Sequence, residues 1–288
     1  LSRNKGRTGG KSKPDNTGAP VQHMTAPENT EDAPAFSFVV PTAFVDLPSK
    51  GRFYPEGHPL HEQDTLEIRE MTAKEEDILT SRTLLKKGIA LDRVIKRLIC
   101  DKSIDPQTLI LGDKNALVIA TRVAAYGNIY TTEVDCPACG HNQQHSFDLE
   151  ELEPRESGGW EDFNVVENDD CTFTTVLPRS KAEVTFKLLN GYDEQKISNL
   201  TAADRKKRQE KNITRQLEGM IVAVNGSEDL EMIRYLVDNI PSADSRHLRS
   251  VYRMAMPNID MTQTFECTEC DYEQDMEVPL SADFFWPE

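Results

Sequence analysis

The chain has 288 residues, a formal net charge of −16 and an apolar content of 38%. That length allows one large domain or two ordinary ones, with enough apolar residues for a buried core. The acidic balance works against general binding to nucleic acid, no apolar run approaches the roughly eighteen residues of a membrane span, and the polar, basic N-terminus lacks the apolar centre of a signal peptide.

Residues 1–40 are poor in large apolar side chains and rich in Gly, Pro, Asn, Thr and Lys, with Arg3, Lys5, Arg7, Lys11 and Lys13 making the start basic. Such a stretch cannot bury enough surface to fold alone. It is expected to form an extended arm that lies along other proteins of an assembly. The texture changes from Val40, and residues 41–128 are expected to form a loop and a three-helix block. Leu47–Leu60 is dense in turn formers and aromatics and predicts an ordered loop with a short strand. His58 and His61 could ligate a metal, but flanking prolines and the absence of a nearby cysteine favour hydrogen bonding within the loop. Alternation of Leu66 and Ile68 up to Met71 predicts a strand.

Thr72 followed by Glu75 is a capping box opening the first helix, with Ile78, Leu79, Leu84 and Leu85 inward and Gly88 as its end. The second helix runs from about Leu91 to Cys100, with Leu91, Val94, Ile95, Leu98 and Ile99 on one face. The third starts near Asp113, carries Leu117, Val118, Ala120, Val123 and Ala124, and ends at Gly127, a natural C′ glycine. Glu75, Glu76 and Asp77 resemble an acidic catalytic cluster, but the first turn of a helix favours acids through its dipole. Cys100, like Cys171 further on, sits near apolar residues and is expected to be a core thiol.

Ile129–Asp135 is predicted as a strand leading into Cys136-Pro137-Ala138-Cys139-Gly140. A second pair, Cys267-Thr268-Glu269-Cys270, follows much later. A C-x-x-C turn presents two thiolates to one metal, and two such turns complete the four-sulfur shell of a structural zinc site. The flanks match in register. An apolar residue, Val134 or Phe265, stands two positions before each pair. Phe147 or Val278 stands eight positions after it, and Leu149 or Leu280 ten after. Each half therefore predicts strand, metal turn, strand, and residues 129–152 and 261–288 together a split zinc ribbon. One structural Zn2+ per chain is expected on Cys136, Cys139, Cys267 and Cys270. His141 and His145 flank the first turn but are not needed, since the four thiolates fill the shell. Closing a loop of over a hundred residues costs on the order of 4 kcal/mol, which structural zinc, at roughly 10–16 kcal/mol in small peptides, outweighs.

Residues 153–260 are expected to be an inserted β-hairpin plus helices. Glu153–Asp170 is acidic and reads as a linker. Cys171–Leu177 and Ala182–Leu189 are β-rich runs around the hairpin signal Pro178–Lys181. Tyr192–Asn199 predicts a short helix. A longer one is expected from about Ala203 to Asn225-Gly226, with Ile213, Leu217, Met220, Ile221 and Val224 as its stripe. Arg205, Lys206, Lys207, Arg208 and Lys211 would sit on its first turns as a solvated basic face. Leu230–Val237 and Ser242–Met254 predict two more helices, the last lined by Leu248, Val251, Tyr252 and Met254 and stopped by Pro257. Phe284, Phe285 and Trp286 are costly to leave in water, and at least one is expected to pack within the fold.

No phosphate-binding glycine loop, G-x-S-x-G elbow or H-E-x-x-H helix is present, and a four-cysteine site leaves no open coordination position. The fold class expected is α+β: a helical block, a split four-cysteine zinc ribbon, a mixed insertion and an extended arm. No enzyme is expected.

Several blocks taken together resemble the baseplate hub and hub-assembly proteins of T4-like contractile-tailed bacteriophages. They are LPSKGRFYPEGHPL at 47–60, MTAKEEDILTSRTLLKKGIALDRVIKRL at 71–98, GDKNALVIATRVAAYG at 112–127, CPACG at 136–140, CTEC at 267–270 and FFWP at 284–287. The resemblance implies a non-enzymatic tail protein, made in the host bacterial cytoplasm and built into the virion baseplate in or next to the hub. Its partners would be other baseplate and hub proteins, with self-association in a symmetric assembly open, and no membrane. An assembly chaperone absent from the mature particle is the alternative. A zinc-ribbon adaptor holding nucleic acid on the arm and the 205–211 run is a second, which the net charge makes the weaker.

Overall fold

Alternating inward and outward side chains build the first sheet. Thr42–Asp46 (β1) pairs antiparallel with Thr65–Arg69 (β2), from Thr42 opposite Arg69 to Asp46 opposite Thr65. Leu66 and Ile68 are buried, whereas Phe44 is exposed. The structure is a computed structural model and describes residues 40–86, 89–279 and 282–285. The proposed arm, Gly88, Leu280, Trp286 and the side chain of Leu85 lie outside the described residues.

Residues 47–60 form successive turns around buried Leu47, Phe53, Tyr54 and Leu60. The short strand expected within them lies instead just before them, in β1. Pro48, Gly51, Pro55 and Gly57 interrupt any extended run here. Gly51 has a φ of 72°, and a Cβ on it would come within 2.3 Å of the Gln63 amide. His58 and His61 serve the loop as expected. His58 Nε2 lies 2.8 Å from Thr108 Oγ1, and His61 Nδ1 lies 2.7 Å from the Tyr54 carbonyl.

The expected first helix is two helices, Ala73–Leu79 (α1) and Arg82–Lys86 (α2). The break falls at Thr80, whose hydroxyl donates to the Glu76 carbonyl and offers the backbone an alternative to helix. Ala90–Leu98 (α3) buries Val94, Ile95 and Leu98. Leu111–Tyr126 (α4) ends at Gly127, whose φ of 81° suits only glycine readily. The first ribbon hairpin follows, Ile129–Asp135 (β3) against Asn142–Asp148 (β4).

Residues 153–170 are not a linker. Pro154–Arg155 (β5) pairs with a short strand beyond the last helix, and Val165–Glu167 (β6) joins a sheet. The acidic side chains face water, while Trp160 sets its ring edge-on to Phe173 at 5.7 Å. Thr172–Val176 (β7) and Glu183–Lys187 (β8) form the predicted hairpin.

Gly191–Lys206 (α5) runs well past the short helix expected there, and Asn212–Met220 (α6) is separate. No helix covers Ala203 to Asn225. Ile221–Val224 (β9) is the fourth strand of an antiparallel sheet ordered β6-β7-β8-β9. Ile-Val-Ala-Val is ambiguous by periodicity alone. The arbiter is Asn225-Gly226, which takes φ of 49° and 76° in a tight turn suited to strand reversal. Ile213, placed on the expected stripe, is 49% exposed. The basic run forms the end of α5 and the α5–α6 turn rather than a helix start.

Leu230–Asn239 (α7) and Ser242–Ala255 (α8) occur as predicted. Asn258–Ile259 (β10) is the partner of β5, and Thr262–Glu266 (β11) with Glu273–Glu277 (β12) makes the second ribbon hairpin. One apolar cluster runs from Val45 to Phe285. The architecture is a mixture of helices and small antiparallel sheets. No helix among the described residues is long and apolar enough to cross a membrane.

Candidate metal centre

The two cysteine turns repeat one backbone design. The Cys136 amide donates to the His141 carbonyl at 2.8 Å, and the Gly140 amide donates to the Cys136 carbonyl at 2.8 Å. In the second turn the Cys267 amide donates to the Tyr272 carbonyl at 2.9 Å and the Asp271 amide to the Cys267 carbonyl at 3.0 Å. Gly140 and Asp271 hold equivalent positions, with φ of 72° and 53°. Aspartate is among the few non-glycine residues that tolerate this conformation.

These turns bring together all four predicted cysteines. Their sulfurs lie within 4.8 Å of one another. Cys136 Sγ is 3.8 Å from Cys270 Sγ, and Cys139 Sγ is 3.7 Å from Cys267 Sγ. A tetrahedron with metal–sulfur bonds of about 2.3 Å has edges of about 3.8 Å, so the donor set fits such an ion. All four are free thiols. Cys136 and Cys267 are buried against the hairpins, and Cys139 and Cys270 face outward.

The thiols do not titrate alike. Burial opposes ionisation of Cys136, but the backbone amides of Cys139 and Ala138 outweigh it and bring the pKa down to about 7. At Cys270 the Tyr272 amide favours the thiolate, yet the neighbouring thiols prevail and push the pKa up to about 12. Four thiolates this close cannot all ionise unless a cation neutralises them, and a divalent ion would invert that preference. The cluster could therefore bind a metal ion.

The hairpins also meet through apolar side chains. Val134, Phe147, Leu149, Phe265 and Val278 are buried, as the matching registers predict. His145 stands outside the cysteine cluster. Its ring packs edge-on to Phe147 at 4.7 Å and to Phe265 at 5.3 Å. His141 also stands outside the ligand cluster. Two glutamines stitch the hairpins together. Gln143 donates to the Glu266 carbonyl at 2.9 Å and accepts from the Thr268 amide at 2.9 Å. Gln263 accepts from the Asp148 amide at 3.1 Å and donates to the carbonyl of the same residue. No sequence signal marks these glutamines, since a polar residue on a hairpin reads as solvent-facing.

Arg122, Asp113 and Glu75 are buried charged residues whose long-range bonds local sequence does not show. Arg122 donates to the carbonyls of Phe284 at 2.7 Å, Gly127 at 2.8 Å and Ile129 at 3.3 Å. It thereby fastens the aromatic tail to α4 and β3. Phe284 and Phe285 are both buried, and Phe284 meets Tyr130 edge-on at 5.0 Å. Asp113 accepts from the Ser49 amide at 3.0 Å, the Ser49 hydroxyl at 2.6 Å and the Tyr54 hydroxyl at 2.8 Å, holding the 47–60 loop to α4. Glu75 does more than complement a helix dipole. It is fully buried and accepts from Arg69 at 2.7 and 3.1 Å and from the Thr72 hydroxyl at 2.7 Å. Cys100 and Cys171 are half-buried rather than core thiols. Cys171 sits in the turn before β7 at a φ of 64°, which keeps it near the surface.

A family model described as T4 bacteriophage base plate protein matches residues 40–286. No curated protein and no solved structure gave a match.

Proposed function

The chain belongs to the T4 bacteriophage base plate protein family, and from that premise we propose that it is a non-enzymatic structural component of a contractile-tail baseplate, in or next to the central hub. The family match over residues 40–286 carries this reading. Its partners are other baseplate proteins, with self-association in a symmetric assembly open, and its place is the virion tail after synthesis in the host cytoplasm. Mass spectrometry of purified particles and of assembly intermediates tests it. The chain is expected in both. Its presence in intermediates but not in finished particles would make it an assembly chaperone instead. The nucleic-acid adaptor reading rests on the basic start of the chain and the short run at 205–211, and the net charge of −16 makes it the weaker.

We propose further that Cys136, Cys139, Cys267 and Cys270 hold one structural zinc. The 3.7 and 3.8 Å sulfur spacings support this, being those of a tetrahedral thiolate shell. With all four positions filled by protein, the ion would pin the fold rather than activate water. Elemental analysis of the purified chain is expected to find about one zinc per chain, and Cys267→Ser to release it and lower the melting temperature. Full metal retention with unchanged melting would refute the site.

A further inference from the structure

A second concentration of charge lies beside the C-terminal end of α3. An open cleft of about 440 Å³ is lined by Arg69, Lys96, Arg97, Lys102 and Ile104. Four cations share one space on a chain of net charge −16. The fold accounts for two of them. Arg69 is held by Glu75 and also donates to the Arg97 carbonyl at 3.1 Å. Lys102 donates to the carbonyls of Ile99 at 2.5 Å and Arg97 at 3.3 Å.

The other two are not consumed. Arg97 gives only Nε to Glu75, at 3.3 Å, and its terminal nitrogens make no hydrogen bond among the described residues. Lys96 has neither a hydrogen bond nor an ion pair there. Carboxylates that could quench them are engaged. Glu75 is buried and shared between two arginines and Thr72. Asp105, which senses Lys96, accepts from the Tyr192 hydroxyl at 2.5 Å and the Gln107 amide at 3.2 Å. Buried Ile104 adds an apolar wall.

We propose that this cleft binds carboxylate side chains of an acidic segment of a neighbouring protein. Its volume is that of a small ligand site, for which roughly 300–1,000 Å³ is usual. The free edge of the Arg97 guanidinium suits the two oxygens of a carboxylate. A nucleic acid would continue past the cleft into the field of a strongly acidic chain, which repels it. A short acidic segment places its charge in the cleft alone. The baseplate reading supplies such neighbours, but the binding itself is a property of the chain in solution.

Fluorescence anisotropy of a labelled hexaglutamate peptide, titrated with the full chain at low salt, tests this. Saturable binding that weakens as salt rises is expected. Lys96→Glu should reduce affinity about tenfold with unchanged thermal melting, because Lys96 holds nothing in the fold. The double variant Lys206→Glu/Lys207→Glu, which alters the other basic surface, should leave binding as it was. Absence of saturable binding, indifference to Lys96→Glu, equal loss in the 206/207 variant, or tighter binding of a short oligothymidylate than of the peptide would each overturn the proposal. Incorporation into particles is measured independently, so failure here leaves the baseplate reading standing.

Discussion

Two buried carboxylates show how neighbours decide what a charge does to stability. At Glu75 burial opposes the charge, but the Arg69 guanidinium and the Thr72 hydroxyl and amide outweigh it, bringing the pKa from 4.5 to about 2. At Asp113 burial wins over the Ser49 and Tyr54 hydrogen bonds and the pKa is raised. The signs are opposite. Glu75 contributes stability above its ordinary pKa, and that contribution is lost as pH falls from about 4.5 towards 2. Asp113 contributes below the ordinary aspartate range and loses its contribution as pH rises through its raised value. Urea unfolding is therefore expected to show up to about 3 kcal/mol of acid-labile stability from Glu75. Glu75→Gln should flatten the profile between pH 5 and 3, and an unchanged slope would contradict the assignment. The capping box was legible, because Thr72 and Glu75 stand at the spacing a helix start requires. Arg69, which with Thr72 brings the pKa down, comes from β2, and Arg97, which also pairs with Glu75, comes from α3; local sequence carries no trace of that meeting.

Among the elements, α4 is the one the others are measured against. Its first turn packs so closely on β10 that a Cβ on Gly112 would lie 1.8 Å from the Pro257 carbonyl oxygen. Helix propensity favours alanine there by about 1 kcal/mol, but a backbone atom cannot yield as a side-chain tip can. Gly112→Ala is expected to destabilise by about 1–3 kcal/mol or more, and a variant that melts at or above the parent would refute the close approach. The ribbon hairpins offer a gentler test. Gln263→Ala removes both bonds to the Asp148 backbone and should cost about 1–3 kcal/mol in denaturant unfolding without loss of the proposed zinc. Loss of the metal along with those bonds would show that the glutamine, not the sulfurs, sets the hairpin spacing. The hairpins were legible because two distant stretches carry apolar residues at the same offsets from their cysteines. β9 was not, since four apolar residues suit a strand or a helix, and only the turn at Asn225-Gly226 and the open edge of β8 resolve them. Residues 153–170 misled through composition, their acids facing water while Trp160, Phe163 and Val165 pack against the core.

At the scale of the molecule, the cysteine cluster closes a loop of 128 residues between Cys139 and Cys267. Holding the ends of such a loop costs about 4 kcal/mol, so removing the proposed zinc should be felt beyond the site. Chelation is expected to lower the melting temperature and to speed amide exchange first in 129–148 and 262–277. Protection in β7 and β8 should persist, because Phe173, Val184 and Phe186 are fully buried on a four-stranded sheet that carries none of the four cysteines. Simultaneous loss of protection everywhere would mean instead that the cluster nucleates the whole fold. The clasp itself was readable from ligand type and spacing. What it clasps was less so, because the stitching glutamines, Arg122 and the aromatic layer around His145 depend on which surfaces the fold brings face to face.

The separation of the two cysteine turns also has a consequence in time. A ribosome adding about 5–20 residues per second finishes the first turn and then needs on the order of 10 s before Cys267 exists. During that interval the nascent chain owns half a ligand set and one hairpin whose inner face has no mate. A transcript broken anywhere in the intervening stretch yields a product without Cys267 and Cys270. The long gap thus means that only chains translated past the second pair carry all four cysteines of the cluster.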